Sequence, residues 1–271
     1  MVITKHPLNG SPLSQAELRK TMGGKNPLYE FLAMYAMRDV DLVKITFNDA
    51  HAASLTNGEF WILETAGTGN ANFAVTAVAG GYAQCDTGDT DNASAAMFGT
   101  IQYLGDDQAG MEVRLQSDDV SEANIEVGFT DAIEGSNASA VSDIDTPAAT
   151  ATDLAVIQYD TDQDIGGLAF ITDGGTSDQN VAATTFTTLA TMLDGTYHRF
   201  RIQLEDNFAA AWADGVLEAN HNVVNTQAVG ALEGGTALMP FIYCRTRVAS
   251  AQQFVKVQSV TLWMDVSDVV A

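Results

Sequence analysis

GTYHRFRIQLEDNFAAAWADGVLEAN, residues 195–220, is the stretch that decides the fold class. Phe200, Ile202 and Leu204 alternate with Arg199, Arg201, Gln203 and Glu205, the two-residue repeat of a strand with one buried face. Asp206-Asn207 supplies a turn, after which Phe208, Ala210 and Trp212 are expected to share the next strand's apolar face. Asp214-Gly215 then makes a second tight turn, because Gly tolerates positive φ. The stretch reads as an antiparallel meander.

The same pattern extends in both directions. Upstream, Leu42–Phe47, Phe60–Glu64, Phe73–Val78 and Ala95–Tyr103 read as strands separated by Gly- and Asn-rich turns. Met111, Val113 and Leu115 alternate with Glu112, Arg114 and Gln116. Ile125, Val127 and Phe129 alternate with Asn124, Glu126 and Gly128, so a hairpin is expected around the Ser117–Glu122 loop. Gly135–Asp153 is small and polar and reads as an exposed loop. Leu154–Tyr159, Leu168–Thr172 and Thr184–Leu189 lead into the meander. Leu238–Arg245 and Lys256–Val266 follow it, and Trp263 falls out of phase with Leu262 and Met264, on the opposite face. More than ten short strands without a long helix predict an all-β protein, an antiparallel two-sheet jelly-roll sandwich spanning residues 41–271.

Residues 1–40 read differently, as an N-terminal arm with two short helices. Ser14-Gln15-Ala16-Glu17 is a capping box and Gly23-Gly24 ends the helix it starts. Asn26 and Pro27 open a second helix, on which Leu28, Phe31, Leu32 and Tyr35 share one face. Six of the 12 basic residues fall within residues 1–44 against four acidic ones, so this segment carries about +2 in a chain of net charge −23. Either the helices cover a sheet edge, or the arm docks on another protein, with Leu13, Leu18, Leu28, Phe31, Leu32 and Tyr35 as its contact residues.

Composition excludes some functions. A field of this sign repels phosphate, which disfavours nucleic acid and anionic lipid as partners. No apolar run is long enough to span a bilayer and no leader pattern opens the chain, so the expectation is a soluble protein made in a cytoplasm. Cys85 and Cys244 could in principle pair, but two cysteines are no disulfide framework in a chain of 271 residues, and a reducing compartment would leave them as buried thiols.

At residue level the 195–220 stretch resembles the turn, His, strand, aromatic, Asp-Gly segment of concanavalin A-like jelly rolls, laminin-G-like sandwiches included. Phe60-Trp61 through Gly80-Gly81, then Thr87-Gly88-Asp89-Thr90-Asp91-Asn92 and Gly110-Met111-Glu112-Val113-Arg114-Leu115, are similar to a sandwich found in tailed-bacteriophage virion proteins. That resemblance implies a non-enzymatic capsid decoration or cement protein on the virion surface. The arm would contact the major capsid protein, and the sandwich would form a homo-oligomer, with a trimer as the candidate state. The alternative it implies is a lectin-like, carbohydrate-binding module for host adhesion, with a glycan partner and Tyr82, Trp212 or Tyr243 as an aromatic platform.

A third reading, a glycanase, needs two carboxylates on one strand face. Gln203-Leu204-Glu205-Asp206 places its adjacent carboxylates on opposite faces, and no Glu-x-Asp-x-x-Glu run occurs. No catalytic residue is therefore assigned. His6, His51, His198 and His221 lack zinc spacing, and His198 reads as a structural histidine. The candidate cofactor is calcium, on Asp160, Asp162 and Asp164, whose alternating carboxylates offer hard oxygen ligands, as does the loop of Asp86, Asp89, Asp91 and Asn92. In a chain this acidic the same residues also serve as solvated turns.

Overall fold

The computed structural model describes residues 40–46, 61–66, 72–76, 82–99, 103–104, 109–131, 140–143, 148–149, 151–162, 167–173, 182–205, 208–222, 237–248 and 252–265. The expected arm, its helices and its contact residues lie outside these, as do Asp164 and the proposed domain boundary's N-terminal side. The compact unit considered below is Leu42–Met264.

In chain order the strands are β1 (Val40–Thr46), β2 (Trp61–Ala66), β3 (Asn72–Thr76), β4 (Tyr82–Asp86), β5 (Ser94–Gly99), β6 (Tyr103–Leu104), β7 (Gly110–Ser117), β8 (Ala123–Thr130) and β9 (Val141–Asp143). They continue as β10 (Ala148–Ala149), β11 (Leu154–Asp160), β12 (Leu168–Asp173), β13 (Ala182–Thr185), β14 (His198–Glu205), β15 (Phe208–Ala213), β16 (Val216–Asn222), β17 (Ala237–Thr246) and β18 (Phe254–Asp265). Sheet A runs β16-β15-β14-β7-β18-β4-β3, with β1 also on β18. Sheet B runs β13-β12-β11-β8-β17-β5-β2, with β6 also on β17, and β9 pairs β10 separately. Every registered pair is antiparallel, and the two sheets form a concanavalin A-like jelly-roll sandwich.

The interior follows from alternation. From sheet A, Met111, Val113 and Leu115 of β7, Phe200, Ile202 and Leu204 of β14 and Val257, Val260 and Leu262 of β18 point inward. They meet Ile125, Val127 and Phe129 of β8, Ile157 of β11 and Ile242 of β17. Each fully buried aliphatic or aromatic side chain stabilises the sandwich by about 1.5–3 kcal/mol relative to exposure.

The meander is present, but one of its strands is inverted relative to expectation. In β15 the inward set is Ala209, Ala211 and Ala213, while Phe208 and Trp212 face outward and are half-exposed. A strand reading Phe-Ala-Ala-Ala-Trp-Ala is apolar on both faces, so size alone misassigns it. The Asp214-Gly215 turn forms as expected, with both residues at positive φ, 48° and 86°. Asp214 suits the turn for a further reason. Its carboxylate accepts from the Arg199 amide at 2.8 Å and from Nδ1 of the buried His198 at 2.8 Å.

One further expectation fails. Gly135–Asp153 is not simply an exposed loop, because it contains β9 and β10, and Ala140, Val141 and Ala151 are buried in a second apolar cluster on the outer side of sheet B. Cys85 and Cys244, whose pairing the sequence leaves open, form a disulfide joining β4 of sheet A to β17 of sheet B with Cα atoms 6.8 Å apart. Linear sequence gives no sign that these inward positions, 159 residues apart, oppose each other across the core.

At the other edge the sheets are joined by His221. Its Nδ1 lies 2.7 Å from the Thr172 hydroxyl and its Nε2 2.8 Å from that of Thr184, so one ring on β16 bridges to β12 and β13. Burial lowers its pKa to about 4, which leaves the ring neutral at physiological pH.

Two predictions follow from these cross-sheet links. Between pH 6.5 and 4 the unfolded chain protonates His221 and the folded one does not. Stability therefore falls as the pH drops through that window, by about 3 kcal/mol at most. Urea midpoints at pH 7 and 4.5 check this, and the drop should shrink in His221→Gln, whose stability at pH 7 is already lower. Closing a loop of this length should make the disulfide worth about 3–5 kcal/mol. Thiol titration of the denatured, unreduced protein should find no free thiol, and Cys244→Ala should melt well below the wild type.

Candidate functional site

Two outer faces remain once the core is assigned, and they differ sharply. On sheet B, Phe98 and Phe241 stack at 5.7 Å, and Leu154, Val156, Ile171 and Tyr243 are buried with them. The polar side chains on this face are buried too. Glu126 accepts from the Ala140 amide at 2.8 Å and from Gln158 Nε2 at 3.1 Å. Asp160, whose register partner on β8 is Asn124, is clamped by the guanidinium of Arg247 through Nε and a second, short contact. Burial pushes the Asp160 carboxyl up and Arg247 opposes it, with a net rise. Tyr243, one of three expected aromatic platforms, is wholly buried here, and burial raises its hydroxyl pKa far above the usual value.

The calcium candidate lies at the end of this face. Arg247 Nε is also 3.7 Å from Asp162, so the cation shared by Asp160 and Asp162 is a guanidinium. Among the described residues no three acidic, histidine or cysteine side chains converge as a metal site.

The outer face of sheet A is open in part: Glu112, Arg201, Gln203, Thr261 and Trp263 are buried on it, while Tyr82, Arg114, Tyr197, Arg199, Glu205 and Trp212 are half-exposed. Because β14 alternates, Arg199, Arg201, Gln203 and Glu205 all point away from the core. Register then builds rows across the sheet. Leu217, Trp212, Arg201, Glu112 and Thr261 form one row, from β16 to β18. Arg201 lies 4.6 Å from the Trp212 ring centroid and 5.7 Å from that of Trp263, whose outward placement matches expectation. Trp263 sits across Gly110, where even a Cβ would come within 2.1 Å of the indole. Along β14, Arg201 donates to Gln203 at 2.7 Å and Gln203 donates to Glu205.

The adjoining row holds a second ring and cation set. Arg199 stands directly opposite Arg114, and its Nε is 3.3 Å from Glu112. Arg114 lies over the Tyr197 ring at 4.8 Å and donates to Gln258. Lys256 lies 5.6 Å from the Tyr82 ring centroid. Burial raises the Tyr197 hydroxyl pKa, Arg114 opposes this, and Tyr82 is close enough to add to it. Tyr82, Tyr197 and Trp212 are half-exposed, and Leu217 beside Trp212 is 51% exposed.

Of the expected platforms, then, Tyr82 and Trp212 share the outer face of sheet A, each half-exposed. The alternation of β14 and β7 already implied a polar face, but the sequence did not show that Tyr82 and Tyr197, 115 positions apart, belong to it. The only hint was the excess of arginine in an acidic body.

No family pattern and no curated relative matches the chain. Solved structures share its fold. A Bacteroides ovatus mixed-linkage glucan GH16 protein, solved with a bound product, has TM-score 0.55 at 10% identity, covering 81% of this chain and 99% of its own. An endo-acting O-glycanase from the human gut microbiota, described as initiating mucin breakdown, has TM-score 0.55 at 10% identity, covering 83% and 99%. The carbohydrate recognition domain of Emp46p, in its potassium-bound form, has TM-score 0.47 at 14% identity, covering 74% and 87%. At these identities the first two establish the jelly-roll sandwich and nothing finer.

Proposed function

We propose that the protein binds carbohydrate on the outer face of sheet A and does not cleave it. The observation that carries this is the set of half-exposed rings, Tyr82, Tyr197 and Trp212, interleaved with guanidinium and amide groups on one strand-built surface. A sugar presents C–H faces that suit aromatic rings, and hydroxyls that need paired donors and acceptors. Half-exposed Arg114, Gln116 and Gln258 offer both beside Tyr82 and Tyr197. Two of the fold neighbours, both with TM-score 0.55, act on glycans by their own descriptions, which fits this reading.

Hydrolysis needs two carboxylates flanking a bond, one of them able to deliver a proton. The candidates here are engaged otherwise. Glu112 pairs with Arg199, Glu205 accepts from Gln203, Asp160 is buried against Arg247, and Glu126 is buried against an amide and Gln158. These contacts favour binding over turnover.

The setting implied by the sequence resemblance is a virion, with residues 1–40 attaching the sandwich to a capsid. The charge contrast between that segment, about +2, and the remaining −25 supports it. Saturable co-sedimentation of the full chain with undecorated heads is the expected result, and its absence removes this setting while leaving the sugar site intact.

For the site itself, a glycan array followed by calorimetry should identify a bound saccharide, and Trp212→Ala should weaken it about tenfold or more without lowering the melting temperature. Prolonged incubation should release no reducing ends. Release that disappears in Asp160→Asn would make the protein a glycanase. An array with no binder would remove the carbohydrate reading.

A further inference from the structure

Outside residues 1–44 the chain has six basic side chains, Arg114, Arg199, Arg201, Arg245, Arg247 and Lys256. Four of them, Arg114, Arg199, Arg201 and Lys256, project from the outer face of sheet A on the adjacent strands β14, β7 and β18. In a body of about −25 this is a strong segregation of charge, and the fold does not require it, since any polar residue satisfies an outward position.

The arrangement also carries an electrostatic cost. Arg199 and Arg114 are directly opposed across β14 and β7. Like charges in that register destabilise a sheet. Glu112 relieves Arg199. Arg114 is met by neutral groups, the Gln258 carbonyl oxygen and the Tyr197 ring, and Lys256 by the Tyr82 ring. Neither Arg114 nor Lys256 forms an ion pair among the described residues, although the chain has 35 carboxylates. Both are half-exposed, as are Tyr82, Tyr197, Gln116 and Gln258 around them. Two cations that meet no carboxylate among the described residues, flanked by two rings and bordered by amides, match a polymer that carries carboxylates on its sugar rings.

We propose that the bound carbohydrate is an acidic, uronate-type polysaccharide, its carboxylates taken by Arg114 and Lys256 and its sugar rings by Tyr82 and Tyr197, an inference that rests on the carbohydrate-binding reading above. The guanidinium fork of Arg114 suits a carboxylate in bidentate geometry. Gln84 and Gln116, the register partners of Lys256 on either side, are placed for hydroxyls. Line charge separates this ligand from nucleic acid. Duplex DNA carries one charge per about 1.7 Å and is repelled by the acidic body as a whole. A uronate chain carries one charge per sugar, so a local cation pair meets it at far lower cost.

The test uses the full-length protein, calorimetry, and polygalacturonate beside the same polymer fully methyl-esterified, with alginate, hyaluronate, neutral dextran and dextran sulfate in parallel. At least one uronate polymer should bind. Where polygalacturonate binds, esterification should weaken it at least tenfold. Arg114→Gln and Lys256→Gln should each weaken uronate binding about tenfold at unchanged melting temperature. Equal affinity for acid and ester, unchanged by Arg114→Gln, overturns the inference and leaves the carbohydrate reading in place. So does binding of neutral glycans alone. Dextran sulfate binding as tightly as the uronates, and equally indifferent to Arg114→Gln, also overturns it, as nonspecific polyanion capture. Binding of no saccharide at all removes both.

Discussion

The register of β14 against β7 is the constraint on which the rest of the structure depends. Phe200 pairs with Val113 and Ile202 with Met111 on the inner side, which forces Arg199 against Arg114 and Arg201 against Glu112 on the outer side. A slip of one residue would exchange the faces, burying two arginines and exposing three apolar side chains. Burial of an unpaired charge costs several kcal/mol. The core therefore holds the outer face in place, and the geometry of the rings and cations is inherited from hydrophobic packing.

Two devices then hold the sheets together at separate strands. The Cys85–Cys244 disulfide links β4 to β17, while His221 links β16 to β12 and β13 with its ring nitrogens satisfied by two threonines. The sandwich has small inward side chains on β15, Ala209, Ala211 and Ala213, and alanines bury little area each. The hydrogen-bonded His221 bridge on the neighbouring β16 adds cohesion that this strand does not supply.

How much of this the sequence revealed depended on whether neighbouring residues differed in kind. Strands β7, β8 and β14 alternate strongly polar with strongly apolar side chains, so their faces were legible. β15 alternates alanine with alanine, and its orientation was fixed only by the strands beside it, which is why Trp212 turned out to face outward. The 135–153 segment hid β9 and β10 because its buried apolar residues, among those described, are two alanines and one valine amid polar ones. Pairs far apart in the chain were invisible for a different reason. Arg247 reaches Asp160 across 87 positions, and no local pattern announces a guanidinium between two aspartates.

Between the two outer faces, burial decides which is available for binding. On sheet B the polar groups are turned toward one another, Glu126 to Gln158 and Asp160 to Arg247, and the surrounding rings stack among themselves. This face is closed by burial, and among the described residues Asn124 and the Gln158 carbonyl oxygen are buried on it without a hydrogen-bond partner. On sheet A the half-exposed Arg114 lies against the half-exposed Tyr197 ring and Lys256 against Tyr82, whereas Arg201 is buried against Trp212 and Trp263. A cation stacked on a ring is also held in a narrow range of orientations, so less conformational entropy remains to be lost when a ligand is bound. The strongly negative body then acts as a filter rather than as part of the site. It weakens the approach of any dense polyanion from a distance, and it leaves recognition to ligands whose charges are sparse enough to be met by a few fixed side chains.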